Sequence, residues 1–296
     1  MAWIYPVFLL VVSALVMLAE RLWPWRPEQR QLRPGLWSDV IHLVFNGHFL
    51  GLIFFGVASH HLLPHVDGWL ARMGWTEVVH RGAASGWPVW VQVPVALLAI
   101  DFVQWCVHNL LHRVPFLWGF HQTHHSVVDG EMDWIVSFRF QWTEVVVYRM
   151  VQYLPLAWFG FGEVAVMVHA TFGTLVGHLN HSNLDLGHGR WRYVFNSPRM
   201  HIWHHDYDRE GRATVNYGII FSVWDWLFGT AYLPDHAPRR LGFRGVEAFP
   251  DDFFSQVIWP VQRWVPAVAR RRWLAVGLGA ALVVVAYRVA AGGAAG

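Results

Sequence analysis

The sequence predicts an all-α integral membrane protein: a helical bundle of about four spans plus a re-entrant helical hairpin, with a cytoplasmic histidine-rich cap holding a di-metal site. Hydrophobic residues make up 55% of the 296 positions and charged residues only 14%. A soluble domain carries about a quarter charged residues. The apolar residues form runs as long as a bilayer is thick, and histidines recur at helical spacing between the runs.

Four apolar runs span, or nearly span, a bilayer, at 3–19, 40–63, 87–107 and 273–291. The first run has no basic residue before it and no small-residue cleavage site after it, so we expect a retained span rather than a signal peptide. A fifth run, 145–179, is too long for one span and is interrupted by FGFGE at 159–163. This interruption predicts a hairpin of two helices that enters and leaves the membrane on one side.

The distribution of arginine predicts the orientation of the spans. Arginines follow the first run, precede the last run and occur throughout the region 190–212. The connection 63–87 holds only two arginines. Because basic residues concentrate in cytoplasmic loops, we expect both termini outside and the histidines on the cytoplasmic side. We predict a multi-pass protein of a bacterial inner membrane rather than of the endoplasmic reticulum.

Three histidine clusters have the spacing of a helix face. His108 and His112 are four residues apart, so their rings lie one turn apart on one face. Two further clusters occupy positions i, i+3 and i+4: His121, His124 and His125, and His201, His204 and His205. Helical bundles build internal metal sites in this way. Eight ligands exceed the needs of one ion and predict two.

Local signals place these clusters on helices. Pro115 ends the helix that carries the first cluster, because proline cannot continue a helix interior. Ser197 is a suitable N-cap and Pro198 a suitable first residue for the helix of the third cluster.

Other residues near the clusters extend the predicted site. His178 and His181 are three apart and precede the third cluster, and we predict both as additional ligands. Asp101 lies seven residues before His108, hence on the same face, and is predicted to accept a ring N–H from a ligand histidine. Neutral imidazoles without thiolate suit Fe, Zn, Cu or Ni. The single Cys106 excludes a disulfide framework and a cysteine-based zinc or iron–sulfur site.

Several alternatives carry less weight. A lone histidine in a membrane helix is usually a packing residue, and we interpret the histidines outside the clusters in this way. Glu144 and Glu163 are interpreted as charges at a helix N-terminus and at a turn. No HExxH, GxGxxG or P-loop pattern occurs, and a net charge of +2 with scattered basic residues gives no indication of nucleic-acid binding.

The sequence resembles the fatty acid hydroxylase / sterol desaturase superfamily of membrane di-metal oxygenases. The resemblance rests on the order HxxxH, HxxHH, HxxHH of the clusters, and on the segment NYG…WDWLFGT at 216–230. It covers about half of the chain, roughly 87–233, and is greatest to the alkylglycerol monooxygenase-like and bacterial sterol-desaturase-like branches. One departure is Gln141, where many members have a histidine.

The resemblance implies two iron ions (with zinc able to replace iron on purification), O2 as co-substrate, and hydroxylation or desaturation of an unactivated C–H bond of a membrane lipid. It also implies an extra histidine in an HxN-like segment, which His181 to Asn183 match. Because the chain has no cysteine cluster or flavin motif, electrons would come from an external ferredoxin- or cytochrome-type donor with its reductase.

A metal transporter is an alternative with less support. It would need polar residues along its spans, which are mostly aliphatic and aromatic here.

We therefore predict three regions: N-terminal membrane spans at 1–86, a fatty acid hydroxylase-like catalytic domain at 87–240, and a C-terminal connection with the last span at 241–296. The main alternative is a non-enzymatic membrane metal or haem protein that transfers electrons. Haem in a bundle is usually held by single histidines on separate spans, whereas three clusters are present here.

Overall fold

The structure, a computed structural model, describes residues 4–46, 63–75, 82–187, 189–209 and 213–264. Within these ranges the chain is mostly helical and forms no β-strand beyond isolated bridges. The α-helices are α1 Ile4–Leu22, α2 Leu36–Val44, α3 Leu63–Arg72, α4 Val89–Arg113, α5 Pro115–His125, α6 Trp142–Phe159, α7 Glu163–His181, α8 Pro198–His201, α9 Val223–Leu227 and α10 Phe253–Trp264. Short 3₁₀ turns, among them Trp134–Phe138 and Ile202–His205, connect them.

Helix α4 is central to the fold. It has 25 residues and packs against α5, α6 and α7. Among the described residues it is the one helix that is long and apolar enough to cross a membrane by length and composition. Most of the predicted span 40–63 and all of 273–291 lie outside the described residues, so the bundle of four spans stays a prediction.

Helices α6 and α7 form the predicted helical hairpin. Gly160 ends α6 with a φ of +75°, a conformation that residues with a Cβ rarely adopt. A Cβ at this position would also lie 2.8 Å from Gly82 Cα, so the loop at 82–85 packs directly on the turn. The interruption at 159–163 therefore separates two helices, as the sequence predicts.

The interior between α4, α6 and α7 is apolar, and so are the outward faces. Ala96, Ile100, Leu156 and Ala165 form a buried cluster among the three helices. Aliphatic and aromatic side chains are exposed on the outer surfaces of the long helices, among them Leu10, Leu15, Trp90, Val147 and Val164. A helix that is apolar all round is typical of a membrane environment or of a large core.

The helices that carry the histidines begin as the local sequence predicts. Pro115 is the first residue of α5, directly after the end of α4. Ser197 caps α8, because its Oγ accepts a hydrogen bond from the Met200 backbone N–H at 3.3 Å, and Pro198 follows as the first helical residue. The third cluster differs from expectation in one respect: α8 has only four residues and continues as a 3₁₀ turn over Ile202–His205.

Candidate metal centre

Nine histidines meet in two buried groups that could hold metal ions. Within each group the ligand nitrogens lie within 4.8 Å of one another. The first group consists of His108, His112, His121, His125 and His204. The second group consists of His124, His181, His201 and His205. None of the nine side chains is more than 3% exposed, so water is largely excluded from both groups.

Each HxxHH motif contributes to both groups. In the HxxHH motif at 121–125, His121 and His125 belong to the first group and His124 belongs to the second group. In the HxxHH motif at 201–205, His201 and His205 belong to the second group and His204 belongs to the first group. Positions i and i+4 of a helix differ by about 40° in direction, whereas i+3 and i+4 differ by about 100°. On α5 one motif therefore directs ring nitrogens to both groups, and the spacing itself carries this signal.

The histidines face one another through their Nε2 atoms. The Nε2 atoms of His108 and His121 are 3.1 Å apart, and His204 Nε2 is 3.1 Å from both His112 Nε2 and His125 Nε2. In the second group His181 Nε2 lies 3.1 Å from His124 Nε2 and from His201 Nε2.

Backbone carbonyls fix the tautomer of four of these histidines. The Nδ1 atoms of His108 and His204 donate to the carbonyls of Tyr217 (2.8 Å) and Val215 (2.9 Å). The Nδ1 atoms of His124 and His181 donate to the carbonyls of Arg139 (3.2 Å) and Gly177 (2.8 Å). A carbonyl oxygen can only accept, so Nδ1 carries the proton and Nε2 presents a lone pair.

The donor set fits metal ions. His124 and His181 both have carbonyl-bound Nδ1–H groups, so their lone pairs face each other at 3.1 Å and repel unless a cation lies between them. Two nitrogens at about 2.1 Å from one ion and at right angles would lie about 3.0 Å apart. Both ring nitrogens of His205 are also buried, with no hydrogen-bond partner among the described residues.

The histidines of α5, α8 and the following 3₁₀ turn are neutral in this environment. Burial lowers the pKa of His121, His124 and His204 well below its usual value, and neighbouring imidazoles lower it further. The pKa values of His125, His201 and His205 shift in the same direction for the same reasons. Neutral imidazole is the form that binds a metal.

Glu144 supplies a carboxylate next to His121, a candidate metal ligand. Its Oε1 accepts from His121 Nδ1 at 2.8 Å, and its side chain is buried. Its position in the first turn of α6 agrees with the interpretation as a charge at a helix N-terminus, but the contact with His121 gives it a second role. Such outer partners hold the ring orientation and raise ligand basicity.

We expect Glu144→Gln to weaken iron retention about 10- to 100-fold, because the neutral amide orients His121 without raising its basicity. Iron per chain, measured at increasing chelator concentration, tests this. Glu163→Gln, an exposed carboxylate at the start of α7, is the matched control and should retain iron as wild type does. Equal retention by the two variants would contradict a role for Glu144 at the site.

Asp101 and His178 lie elsewhere than the sequence predicts. Asp101 does not receive a histidine N–H, because two turns separate it from His108; it accepts from the backbone N–H groups of Ile220 and Phe221 at 2.8 and 3.0 Å. It thus holds the segment whose Tyr217 carbonyl orients His108. His178 belongs to neither group, and its ring nitrogens face the hydroxyls of Ser13 and Ser137 at 3.1 and 3.0 Å.

Gln141, the departure from the family pattern, has a structural role here. Its Oε1 accepts from the backbone N–H of Thr143 at 2.6 Å and so caps α6. Its Nε2 donates to the Val257 carbonyl at 2.8 Å and links α6 to α10.

A cavity of about 150 Å³ adjoins both groups. His108 and His121 of the first group and His124 and His181 of the second line one end of it. Its remaining walls come mainly from α4, α6 and α7. Phe138 and Phe140 contribute, as an apolar substrate channel would require, but many other lining side chains are polar.

The fold and the site define the class of protein: a mostly helical protein with buried, all-histidine groups that could hold metal ions, beside a cavity. Comparison with known sequences gives the family. Residues 93–230 match the sequence model described as fatty acid hydroxylase, so this part of the chain is a fatty acid hydroxylase domain. No solved structure matches it.

Three relatives show the breadth of the family. The chain is 27% identical to "Ornithine lipid hydroxylase OlsE" of Rhizobium tropici over 88% of its own length and 76% of the relative's. It is 30% identical to human "Alkylglycerol monooxygenase" over 46% and 29% of the two chains, and 27% identical to "Fatty acid hydroxylase vlmA" of Lecanicillium sp over 50% and 44%. The chain thus spans less than half of the last two relatives. The prediction of an oxidoreductase is confirmed.

Proposed function

We propose that this chain is a membrane-bound di-iron oxygenase that hydroxylates, or desaturates, an unactivated C–H bond of a lipid. The observation that carries the proposal is the pair of adjacent histidine groups, in which fixed tautomers turn lone pairs toward one another. The relatives named as lipid hydroxylases and monooxygenases support the same reaction class.

The residues of the chain would hold and shield the metal centre. The first histidine group would bind one ion and the second group the other, each with neutral imidazole ligands. Bound iron would supply the redox chemistry by which O2 oxidises a C–H bond to an alcohol, with release of water and consumption of two electrons and two protons. The buried position of all nine ligands keeps bulk water away from this reaction.

We propose a multi-pass location in a bacterial inner membrane, with the histidines on the cytoplasmic side. The apolar outward faces of α1, α4, α6 and α7 support contact with lipid. The three regions 1–86, 87–240 and 241–296 stay part of this proposal. Electrons would come from a ferredoxin- or cytochrome-type donor that docks on the arginine-rich cytoplasmic face.

The test combines metal content with lipid analysis. We expect the full chain, purified with its metal retained, to contain iron and to show no haem absorbance. Cells that express it should contain one lipid class heavier by one oxygen atom, or lighter by two hydrogens, relative to cells without it. A Soret band would support the alternative of a haem electron carrier, and unchanged lipids with iron bound would exclude the proposed reaction.

A further inference from the structure

The cavity beside the candidate metal centre has a mainly apolar lining, in which three polar side chains stand out. Gln104 of α4 and Tyr148 and Gln152 of α6 line it. Among the described residues, no hydrogen bond joins these three side chains to another residue. An amide or hydroxyl that is covered by an alkyl chain without a partner loses its hydrogen bonds to water, which is unfavourable.

The three side chains lie one or two helical turns from residues of the candidate metal centre. Gln104 is one turn before His108 on α4, and Tyr148 and Gln152 are one and two turns after Glu144 on α6. With a rise of about 5.4 Å per turn, their positions along the helix axes are roughly 5–11 Å from the metal-site residues. A group bound by these side chains would therefore be held within roughly a nanometre of the reacting carbon.

Two glycines of α7 also belong to the cavity lining. Gly177 and Gly173 line the cavity one and two turns before His181 on α7. A Cβ at either glycine would meet its nearest neighbour only at 3.9–4.0 Å, so these glycines are not required by close packing there. The cavity lining thus includes two positions without side chains on α7 and hydrogen-bonding side chains on α4 and α6.

We propose that Gln104, Tyr148 and Gln152 determine specificity by hydrogen bonding to a polar group of the lipid, such as an amide, ester, ether or hydroxyl. The substrate is then a lipid that is oxidised close to such a group, not in the middle of an alkyl chain. This inference rests on the proposed oxygenase function and adds the region of the lipid that is oxidised.

The experiment locates the inserted oxygen. Wild type, Gln104→Leu, Gln152→Leu and Tyr148→Phe are expressed as the full chain in one bacterial host, and the host's total polar lipids are the probe. Tandem mass spectrometry gives the position of oxidation in each product lipid, and iron per chain shows whether the metal centre is intact. Val147→Leu, on the outward face of α6, is the matched control.

We expect wild type and Val147→Leu to oxidise carbons close to a hydrogen-bonding group. Each cavity variant should retain iron and lose about three- to tenfold of this positional preference, the effect of one lost hydrogen bond. A merely structural role would lower turnover without moving the position. Wild-type oxidation in mid-chain, or an unchanged position in all three variants, overturns the inference while leaving the oxygenase function intact. Iron-loaded wild type that oxidises no lipid overturns the function itself.

Discussion

Replacing His204 by alanine is expected to abolish lipid oxidation and to remove iron from the first group. His204 Nε2 is 3.1 Å from the Nε2 atoms of both His112 and His125, so it joins the ligands of α4 to those of α5. Losing an outer partner of a ligand costs about 10- to 100-fold in affinity or activity, and loss of the ligand itself should exceed that. Iron per chain and the amount of oxidised lipid measure the effect.

Two other histidines are the controls for His204. His65 is exposed on α3, and His65→Ala should keep both iron and lipid oxidation. His178 is buried, yet its ring nitrogens face two serine hydroxyls instead of other histidines, so His178→Ala should keep wild-type iron content. If His178→Ala loses as much iron as His204→Ala, the division into two groups of five and four is wrong.

Spacing predicted which histidines come together but not how they divide. The eight cluster histidines and His181 can be chosen from sequence because i, i+3 and i+4 spacing brings rings to one side of a helix. The same spacing also selects His178, which belongs to neither group. Spacing alone predicts that all the rings of one cluster point in the same direction. On α5 the finer difference of about 100° between i+3 and i+4 assigns His124 to the group opposite His121 and His125. His204 lies in a 3₁₀ turn, so its assignment to the first group depends on the structure.

The partners that orient the histidines could not be predicted in the same way. Four of them are backbone carbonyls, at Tyr217, Val215, Arg139 and Gly177, and every residue has a carbonyl whatever its side chain. Glu144 is 23 residues from His121, so no local pattern joins them. Asp101 shows the converse: correct face and short separation suggested a contact that two turns of helix prevent.

The helical elements were easier to predict than the cap that covers them. The break at Gly160 and the start at Ser197 depend on local backbone preferences, which sequence records directly. The region between α8 and α10 has only short helices and turns, held by long-range bonds such as that from Asn216 Nδ2 to the Met200 carbonyl. Such contacts depend on the tertiary fold and leave no periodic pattern.

Buried charges join the N-terminal part of the chain to the second histidine motif. Arg139 donates to Asp39 on α2 and to the Ser126 carbonyl, while its own carbonyl accepts from His124. Arg33 also donates to Asp39 and extends the network to Asp133. Burial alone would raise the pKa of Asp39, but the two guanidinium groups outweigh this and lower it. Asp39 is therefore a carboxylate that depends on both arginines.

Arg139→Met is expected to lower the free energy of unfolding by about 3–5 kcal/mol, because it leaves a fully buried carboxylate with one of its two cationic partners. The thermal midpoint of the full chain in detergent measures this loss of stability. Iron retention should fall as well, because the Arg139 carbonyl orients His124 and the Arg139 backbone loses its side-chain anchor. Arg30→Met is the matched control, because Arg30 also pairs with two carboxylates, those of Asp129 and Glu131, but at the surface. Solvent screens the charges there, so the thermal midpoint should hardly change. Equal midpoints for the two variants would show that the buried network does not hold the metal centre together.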